Sequence, residues 1–314
     1  MTVQQLEYVI ALDNYRHFAK AAESCGVTQP TLSMMIQKLE EELDVKIFDR
    51  LPHPIEPTGI GKLIIKQART AIFYFQQIRE TVRNEKNILS GDFKLGVIPT
   101  VASFLVPELL KTVSDLNPDF SLIMQEAPTT TIIDSVTNGK LDGGLAATPL
   151  YNPSLIEIPV YYEKFYAYVS SGDSTFDAEE IDINSVDIQD IWLLENVHCM
   201  RGQVLSLCEQ KKEEMQNQAA KYESGSIDTL INIVDYNGGL TVIPEMAAMS
   251  LPEEKQSNLR RITGNNFVRE ISIVVNVDYV RENMTNAIVE LVRQSVPKSM
   301  QDPKLKQYAI GVNL

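Results

Sequence analysis

Two of the three cysteines, Cys199 and Cys208, lie nine residues apart in the segment ENVHCMRGQVLSLCEQ, where their neighbours favour thiol chemistry. A cysteine that reacts with an oxidant must ionise, be partly accessible and lie near groups that stabilise negative charge. His198 and Arg201 flank Cys199 and suit that role. A sulfenic acid formed on Cys199 can be trapped by Cys208 as a disulfide. Residue types and spacing alone favour two buried, inert cysteines at unrelated positions, which is the commoner case.

The spacing of this pair has a geometric consequence. If residues 199–208 form one helix, nine steps separate the two Cα atoms by about 13 Å. A disulfide needs Cα atoms within about 7 Å. Because the chain is expected to be helical after Gly202, bond formation requires partial unwinding and would act as a conformational switch. The requirement weakens if Cys199 lies in a loop folded toward Cys208.

Other chemistries find less support in the sequence. A Cys-x8-Cys pair with one neighbouring His lacks the short ligand spacing of zinc sites, so neither a metal nor a cofactor is expected. The motifs GxxxxGK[ST], HExxH and GxSxG are absent, and an enzyme such as a thiol peroxidase is therefore disfavoured. Cys25, just before Gly26, is expected in a helical core.

The bulk composition describes a soluble chain of more than one domain. Its 314 residues are 44% hydrophobic and 22% charged, which favours two or three globular domains. There is no run of about 18 apolar residues and no signal peptide pattern, so we expect a cytoplasmic protein without a membrane partner. The net charge of −14 argues against nonspecific coating of nucleic acid but allows a local DNA-binding surface.

The first 57 residues predict three short helices. Thr2 and Gln5 have capping-box spacing, the second helix stops at Gly26, and the third begins at Thr28. The third helix is expected to bury one apolar face, made of Leu32, Met35, Ile36, Leu39 and Leu43. A short helix, a tight turn and a second helix make a helix-turn-helix, although any three-helix bundle would also fit.

A β-wing or loop and a long helix are expected next. Residues 47–57 contain three prolines and no regular period, and suit the wing. An a/d heptad seam then predicts a helix of about thirty residues that dimerises with a partner helix. The seam consists of Ile64, Ala68, Ala71, Phe75, Ile78 and Val82.

After Ser90 the pattern alternates between strands and helices. This predicts an α/β region large enough for two lobes and a cleft. The expected strands are residues 93–98, 120–127, 141–147, 165–171, 191–196, 239–244 and 271–277.

These segments resemble those of a known family. VTQPTLSMMIQKLEEELDVKIFDR and the following PTGIGKLIIKQA strongly resemble the DNA-binding domain of LysR-type transcriptional regulators, and GDFKLGVIPT, NGKLDGGLAATP and GGLTVIPE follow in the order of that family's effector domain. Within the family, ENVHCMRGQVLSLCEQ with IPT and EAPT resembles OxyR-type hydrogen peroxide sensors.

The resemblance implies an α/β fold with an N-terminal all-α winged helix-turn-helix, a long linker helix and a two-lobed, periplasmic-binding-protein-like effector domain. The expected ranges are 1–57 for DNA binding, 58–90 for the linker, 91–300 for the effector domain and 301–314 for a tail. Lobe I would take 91–162 and 267–300, and lobe II 163–266. Such regulators act as homotetramers on promoter DNA, activate oxidative-stress genes and recruit RNA polymerase, and peroxide would be the signal.

The resemblance also implies roles for individual residues around the thiols. Cys199 would be the peroxide-reactive thiolate and Cys208 the resolving thiol. Thr100 and Thr129 would supply hydroxyls, and His198 and Arg269 would orient peroxide or stabilise negative charge.

Each of the four assisting residues also has a purely structural interpretation. Thr100 could be a turn residue at the end of a strand, and Thr129 could be the N-cap of a helix starting at Thr130. His198 could simply pack against its neighbours, and Arg269 could be an exposed strand residue.

DNA contacts are expected at the start of the third helix, where recognition helices present side chains to base edges. Thr28, Gln29, Thr31 and Ser33 occupy these positions, and Arg50 matches the family's phosphate-contacting position. The range 1–57 departs from the family because it holds five basic against nine acidic residues. Because electrostatic affinity scales with phosphate contacts, we expect weaker nonspecific binding than usual. The alternative function is a LysR-type regulator that responds to a small metabolite between the lobes.

Overall fold

The computed structural model describes residues 1–49, 51, 54–85, 89–113, 119–187, 190–195, 199–207, 225–263, 267–279 and 281–312, with the side chains of 79, 80, 82–85, 206 and 207 excepted. The chain divides into two compact units. One comprises Met1–Ile88 with Asn138–Lys140, and the other comprises Leu89–Thr137 with Leu141–Leu314.

The N-terminal unit begins with three helices, α1 (Val3–Tyr15), α2 (Phe18–Ser24) and α3 (Gln29–Leu43). Their ends follow local sequence signals. Thr2 and Gln5 form the predicted capping box, Gly26 ends the second helix with a φ of +66°, and the hydroxyl of Thr28 accepts a hydrogen bond from the backbone N–H of Thr31 at 3.4 Å. The helix-turn-helix prediction is therefore confirmed.

The three helices enclose a small apolar core. Leu32, Ile36 and Leu39 of α3 are buried in it, as predicted, and Met35 packs against it. The prediction for Leu43 is wrong, because its side chain is 37% exposed. Leu43 is the last residue of α3, where the helix passes beyond the elements that cover its apolar face.

A short hairpin, β1 (Phe48–Asp49) and β2 (Glu56–Pro57), forms the predicted wing, and the strands pair antiparallel. Its entry is held by Glu40 of α3, which is buried. One carboxylate oxygen of Glu40 accepts the backbone N–H groups of Ile47 at 2.8 Å and Phe48 at 3.2 Å. Two donors that would otherwise be unpaired inside the domain are thus satisfied by one side chain.

The long helix α4 (Gly59–Glu85) follows the wing. Arg69 fixes it to α1, donating hydrogen bonds to Asp13 at 2.7 Å and to Asn14 at 2.6 Å. The residues of the predicted seam differ in exposure along the helix. Ala68 is buried, whereas Phe75 and Ile78 are 42% and 66% exposed. The second half of the seam therefore presents apolar side chains on the surface of the unit.

The effector unit starts with lobe I. Strand β3 (Gly91–Val97), helix α5 (Pro99–Val113), strand β4 (Phe120–Glu126), helix α6 (Thr129–Thr137) and strand β5 (Gly143–Thr148) follow in order. β3 lies between β4 and β5 and pairs parallel with both. This arrangement places the carboxyl ends of the three strands at one edge of the sheet.

The long strand β6 (Leu155–Val169) then passes into lobe II. The remaining elements of that lobe are β7 (Glu180–Ile181), β8 (Ile191–Trp192), α7 (Cys199–Leu207), α8 (Ile227–Asn237), β9 (Leu240–Pro244), α9 (Glu245–Ser250), α10 (Glu253–Gln256) and β10 (Leu259–Ile262). β9 and β10 both pair antiparallel with the second half of β6.

The chain returns to lobe I through β11 (Val268–Asn276), which pairs antiparallel with β5 and with the first half of β6, and α11 (Glu282–Gln294) follows. The two-lobed α/β prediction is confirmed. All seven predicted strand regions contain strand, but residues 155–164, 180–181 and 259–262 are strands that the sequence patterns missed. None of the helices in the described ranges is long and apolar enough to cross a membrane.

The C-terminal residues pack on the effector unit. Two 3-10 helices, Lys298–Gln301 and Pro303–Tyr308, follow α11. Ala309 then bridges to Val268, and the N–H of Ile310 donates to the carbonyl oxygen of Val268 at 3.0 Å. Ala309 and Ile310 are thus attached to the start of β11, and the N–H of Val312 donates to the carbonyl oxygen of Pro149 at 3.4 Å.

Candidate functional site

Thr100 and Thr129 occupy equivalent positions in the sheet of lobe I. Each is the third residue beyond a strand, since β3 ends at Val97 and β4 ends at Glu126, and these two end residues are paired neighbours. Both threonines are buried in the first turn of the following helix. The carboxyl edge of parallel strands is where α/β sheets bind ligands, so the two hydroxyls belong to the edge that suits a ligand.

Arg269 lies at the same edge, because β11 starts where the antiparallel β5 ends. Its side chain is fully buried, so the alternative of an exposed strand residue is wrong. Nη2 donates to the Thr100 hydroxyl at 2.5 Å, and Nη1 lies 3.4 Å from Oε1 of Glu163. Thr100 is a helical residue rather than a turn residue, and the structure brings it together with Arg269.

Glu163 is the cross-strand neighbour of Arg269 on β6 and is 1% exposed. Burial raises the pKa of Glu163 to about 7, although the Arg269 guanidinium and the N–H of Met246 act in the opposite direction. The pKa of the neighbouring Tyr161 hydroxyl is also raised, first by burial and second by Glu163. The site therefore contains a buried ion pair in which desolvation is the dominant cost.

Cys199 is a free cysteine, 6% exposed, and it is the first residue of α7. The alternative that it lies in a loop is therefore wrong. Arg201, the neighbour expected to assist the thiol, has a backbone partner, because its Nη1 donates to the carbonyl oxygen of Leu194 at 2.8 Å.

Cys199 lies in lobe II, where Met200 and Val204 of the same helix belong to the apolar core. Phe104 of α5 packs against that core. Because residues four apart share a face of a helix, Thr100 and Phe104 lie on the same side of α5. Among the described residues, no hydrogen bond joins Cys199 to Thr100, Thr129 or Arg269. His198 and Cys208 lie outside the described residues.

Thr129 is the first residue of α6, which begins at this position rather than at Thr130. It is therefore helical, and the alternative of an N-cap before Thr130 does not hold. Its side chain is 2% exposed.

The expected DNA-contacting residues surround the start of α3. Thr28 and Gln29 are exposed, and Thr31 and Ser33 are half-buried. The hydroxyls of Thr28 and Thr31 are 2.9 Å apart and hydrogen-bonded. The same hydroxyl groups are therefore used at the helix start and expected to contact bases. Arg50 lies outside the described residues.

Sequence reasoning missed two buried polar residues near the site. Glu163 could have been noticed as an acid within a run of aromatic strand residues, YYEKFYAYV. Gln203 of α7 is fully buried, and its Nε2 donates to the carbonyl oxygen of Ile310 at 3.2 Å. No local pattern marks Gln203, because its partner is 107 residues away.

Comparison with known proteins gives two matching family models. The model described as bacterial regulatory helix-turn-helix protein, lysR family, matches residues 3–62. The model described as LysR substrate binding domain matches residues 86–297. Together they match residues in both units of the chain.

Individual relatives align with most of this chain and with most of their own length. The "Hydrogen peroxide-inducible genes activator" of Haemophilus influenzae is 32% identical over 80% of this chain and 82% of its own length. The "DNA-binding transcriptional dual regulator OxyR" of Escherichia coli strain K12 is 30% identical over 82% of this chain and 83% of its own. A solved full-length OxyR variant from Pseudomonas aeruginosa is 28% identical, with a TM-score of 0.78, over 93% of this chain and 98% of that one.

Proposed function

The chain belongs to the LysR family of bacterial transcription regulators, and we propose that it is a DNA-binding regulator that senses hydrogen peroxide through Cys199. The observation that carries the proposal is the fully buried guanidinium of Arg269 on the Thr100 hydroxyl. A fixed positive charge beside a hydroxyl suits the negative charge that develops when a thiolate attacks peroxide. Relatives named for hydrogen peroxide-inducible activation support the choice of signal.

In the proposed reaction the Cys199 thiolate attacks one peroxide oxygen. An S–O bond forms, the O–O bond breaks, and the leaving hydroxide takes a proton to become water. The Cys208 thiol then attacks the sulfenic sulfur, an S–S bond forms, and the second oxygen leaves as water. Two thiols and one peroxide thus give one disulfide and two waters.

Four residues assist this reaction in our proposal. The hydroxyls of Thr100 and Thr129 hydrogen-bond the peroxide at the carboxyl edge of lobe I. Arg269 stabilises the developing negative charge, and His198 orients the peroxide. Support comes from the shared sheet edge of Thr100, Thr129 and Arg269, and from the burial of all three.

The disulfide is proposed to switch the regulator by changing α7. The described part of this helix runs from Cys199 to Leu207, eight residues apart, which corresponds to about 12 Å along the axis. Cys208 follows Leu207 directly, and a disulfide requires Cα atoms within about 7 Å. Bond formation therefore has to unwind part of α7, whose Met200 and Val204 leave their packing in the core of lobe II.

On the DNA side, we propose that α3 enters the major groove. Gln29 pairs with a base edge, Thr28, Thr31 and Ser33 make hydroxyl contacts, and Arg50 binds a phosphate. The exposure of Gln29 and Thr28 supports this arrangement.

The assembly and its partners complete the proposal. Residues 1–57 bind promoter DNA, 58–90 dimerise, 91–300 sense peroxide and 301–314 form a tail. The exposed Phe75 and Ile78 of α4 support the homodimer. Two dimers form a tetramer on the promoter in the cytoplasm, and its reorganisation recruits RNA polymerase to oxidative-stress genes.

Mass analysis of the purified protein before and after stoichiometric hydrogen peroxide tests the proposal. A loss of two hydrogens, mapped to the peptide that contains Cys199 and Cys208, is expected. Unmodified thiols in a protein that still binds DNA would overturn it and favour the alternative of a metabolite bound between the lobes.

A further inference from the structure

Glu163 lies where β6 passes from one lobe to the other. Residues up to Lys164 pair with β11 of lobe I, whereas residues from Phe165 onward pair with β9 of lobe II. Its carboxylate contacts both lobes, because Oε1 faces Nη1 of Arg269 at 3.4 Å and Oε2 accepts the N–H of Met246 on α9 at 3.3 Å. A carboxylate held at both oxygens has little freedom to move.

The guanidinium of Arg269 is held on two of its three nitrogens. Nη1 faces Glu163 and Nη2 donates to Thr100. Nε is buried and has no hydrogen-bond partner among the described residues. Since arginine donors form a rigid planar fork, fixing the two Nη atoms also fixes the direction of the Nε–H. An unpaired buried donor is unfavourable, and this one is available to an acceptor that the reaction supplies.

We propose that Glu163 is a positioning residue for the peroxide reaction, holding the Arg269 guanidinium against Thr100 so that its Nε–H meets the negative charge of the reacting oxygen or sulfur. This inference rests on the proposed function. It states that Glu163, which lies outside the thiol segment, increases the rate of Cys199 oxidation by a measurable factor. Glu163 does not contact peroxide in this scheme. It acts through Arg269.

The charge of Glu163 decides how firmly it holds its partner, because hydrogen bonds to an ionised acceptor are stronger than those to a neutral one. Charged and titratable groups face it from three elements: Arg269 on β11, Glu245 on α9 and Tyr161 on its own strand. Burial, partly offset by Arg269, raises the pKa of Glu163 to about 7. Glu163 should therefore hold the Arg269 guanidinium weakly below neutral pH and firmly above it.

The test compares the rate of Cys199 oxidation by hydrogen peroxide in the full-length protein and in Glu163→Gln, from pH 5.5 to 8.5. Glutamine resembles the protonated carboxyl, so the two rates should agree at low pH. Above pH 8 the unaltered protein should be about tenfold faster, because a misplacement of an assisting group by about 1 Å can cost about a hundredfold and a smaller displacement costs less. The ratio of the rates cancels the titration of the thiol itself and should have its midpoint near pH 7.

Asp142→Asn is the matched control. Asp142 also pairs with an arginine at 3.4 Å, Arg281, elsewhere in lobe I. The ratio of the oxidation rates of the unaltered protein and Asp142→Asn should not change with pH. Glu163→Asp keeps the charge and should restore part of the rate above pH 8. Circular dichroism and DNA binding of each reduced variant confirm folding.

A Glu163→Gln protein with unchanged rate and unchanged pH profile overturns the inference while leaving the proposed function intact. A constant slowing at every pH also overturns it, since that is the signature of a merely structural role. Failure of the unaltered protein to oxidise Cys199 overturns the proposed function instead.

Discussion

Gln203, four residues after Cys199 on α7, donates a hydrogen bond to the carbonyl oxygen of Ile310 at 3.2 Å. The Ile310 side chain packs against the lobe II core to which Met200 and Val204 of α7 belong. The N–H of Ile310 is bound to the carbonyl of Val268, one residue before Arg269. The C-terminal segment therefore supports the helical form of α7, in which Cys199 is the first residue.

Replacing Ile310 with alanine should shift the thiol–disulfide equilibrium toward the disulfide. The truncation weakens packing that supports helical α7 by about 1–2 kcal/mol, and a helix that must unwind to form the bond then unwinds more readily. The shift should be about five- to thirtyfold. It is measured by equilibrating the protein with mixtures of reduced and oxidised glutathione and quantifying the disulfide by mass.

Gln307→Ala is the control for Ile310→Ala, because Gln307 belongs to the same segment and is exposed. An equal shift in both variants, or no shift in either, would contradict the support of α7 by Ile310.

The N-terminal unit could be predicted closely because its signals are local. The cap at Thr28, the left-handed turn at Gly26 and the apolar face at Leu32, Ile36 and Leu39 all lie within a few residues of the structure they specify. The prediction that Leu43 is buried was wrong for a non-local reason. Periodicity gives the direction of a side chain but does not show where the covering elements end.

The lobes were harder to predict in detail. The first half of β6 contains Pro159 and charged residues, which break the alternation typical of strands. Its strand conformation is determined by pairing with β11, more than a hundred residues away in sequence. The same separation hid the Glu163–Arg269 pair, since a sequence shows which residues are charged but not which of them meet.

Cys199→Ser should retain binding to DNA and lose the response to peroxide. Serine keeps the size of the side chain but cannot form the thiolate that attacks the O–O bond. Fragments selected from a random DNA library by the reduced protein serve as probes in fluorescence anisotropy and footprinting, with and without peroxide. A variant that still changes its footprint with peroxide would remove Cys199 from the mechanism.

The contribution of Glu163 to the stability of the effector unit should fall as the pH rises from about 4.5 to about 7. Burial raises the pKa of Glu163 from 4.5 to about 7, so in this window the folded state binds more protons than the unfolded state, and raising the pH favours unfolding. Glu163→Gln should lose this part of the slope. Urea unfolding followed through Trp192, the single tryptophan of the chain, measures it.

Glu108→Gln provides the control for the pH dependence, since Glu108 is an exposed residue of α5. A slope that is the same in the Glu163 and Glu108 variants would mean that Glu163 is not the group that binds the extra proton.

Gln29→Ala and Arg50→Ala should weaken DNA binding in different ways. Loss of a base contact from Gln29 costs about 1–3 kcal/mol and relaxes the preference at one position. Loss of a phosphate contact from Arg50 weakens binding to all sequences about equally and reduces the salt slope by about 1. Binding to the selected fragment and to single-base variants, at several salt concentrations, separates the two. Identical specificity in the Gln29 variant would exclude that contact.

Ile78→Asp should dissociate the dimer. The Ile78 side chain is 66% exposed on α4, and burying an isoleucine against a partner helix is worth about 1.5–3 kcal/mol. Aspartate both removes that burial and introduces a charge at the seam, so the dissociation constant should rise at least about tenfold. Sedimentation over a concentration series measures the dissociation constant.

Gln76→Asp introduces the same charge two residues away on an exposed position outside the seam and should leave the dimer intact. If both variants dissociate equally, net charge rather than the apolar seam controls association; if neither does, the dimer uses another surface.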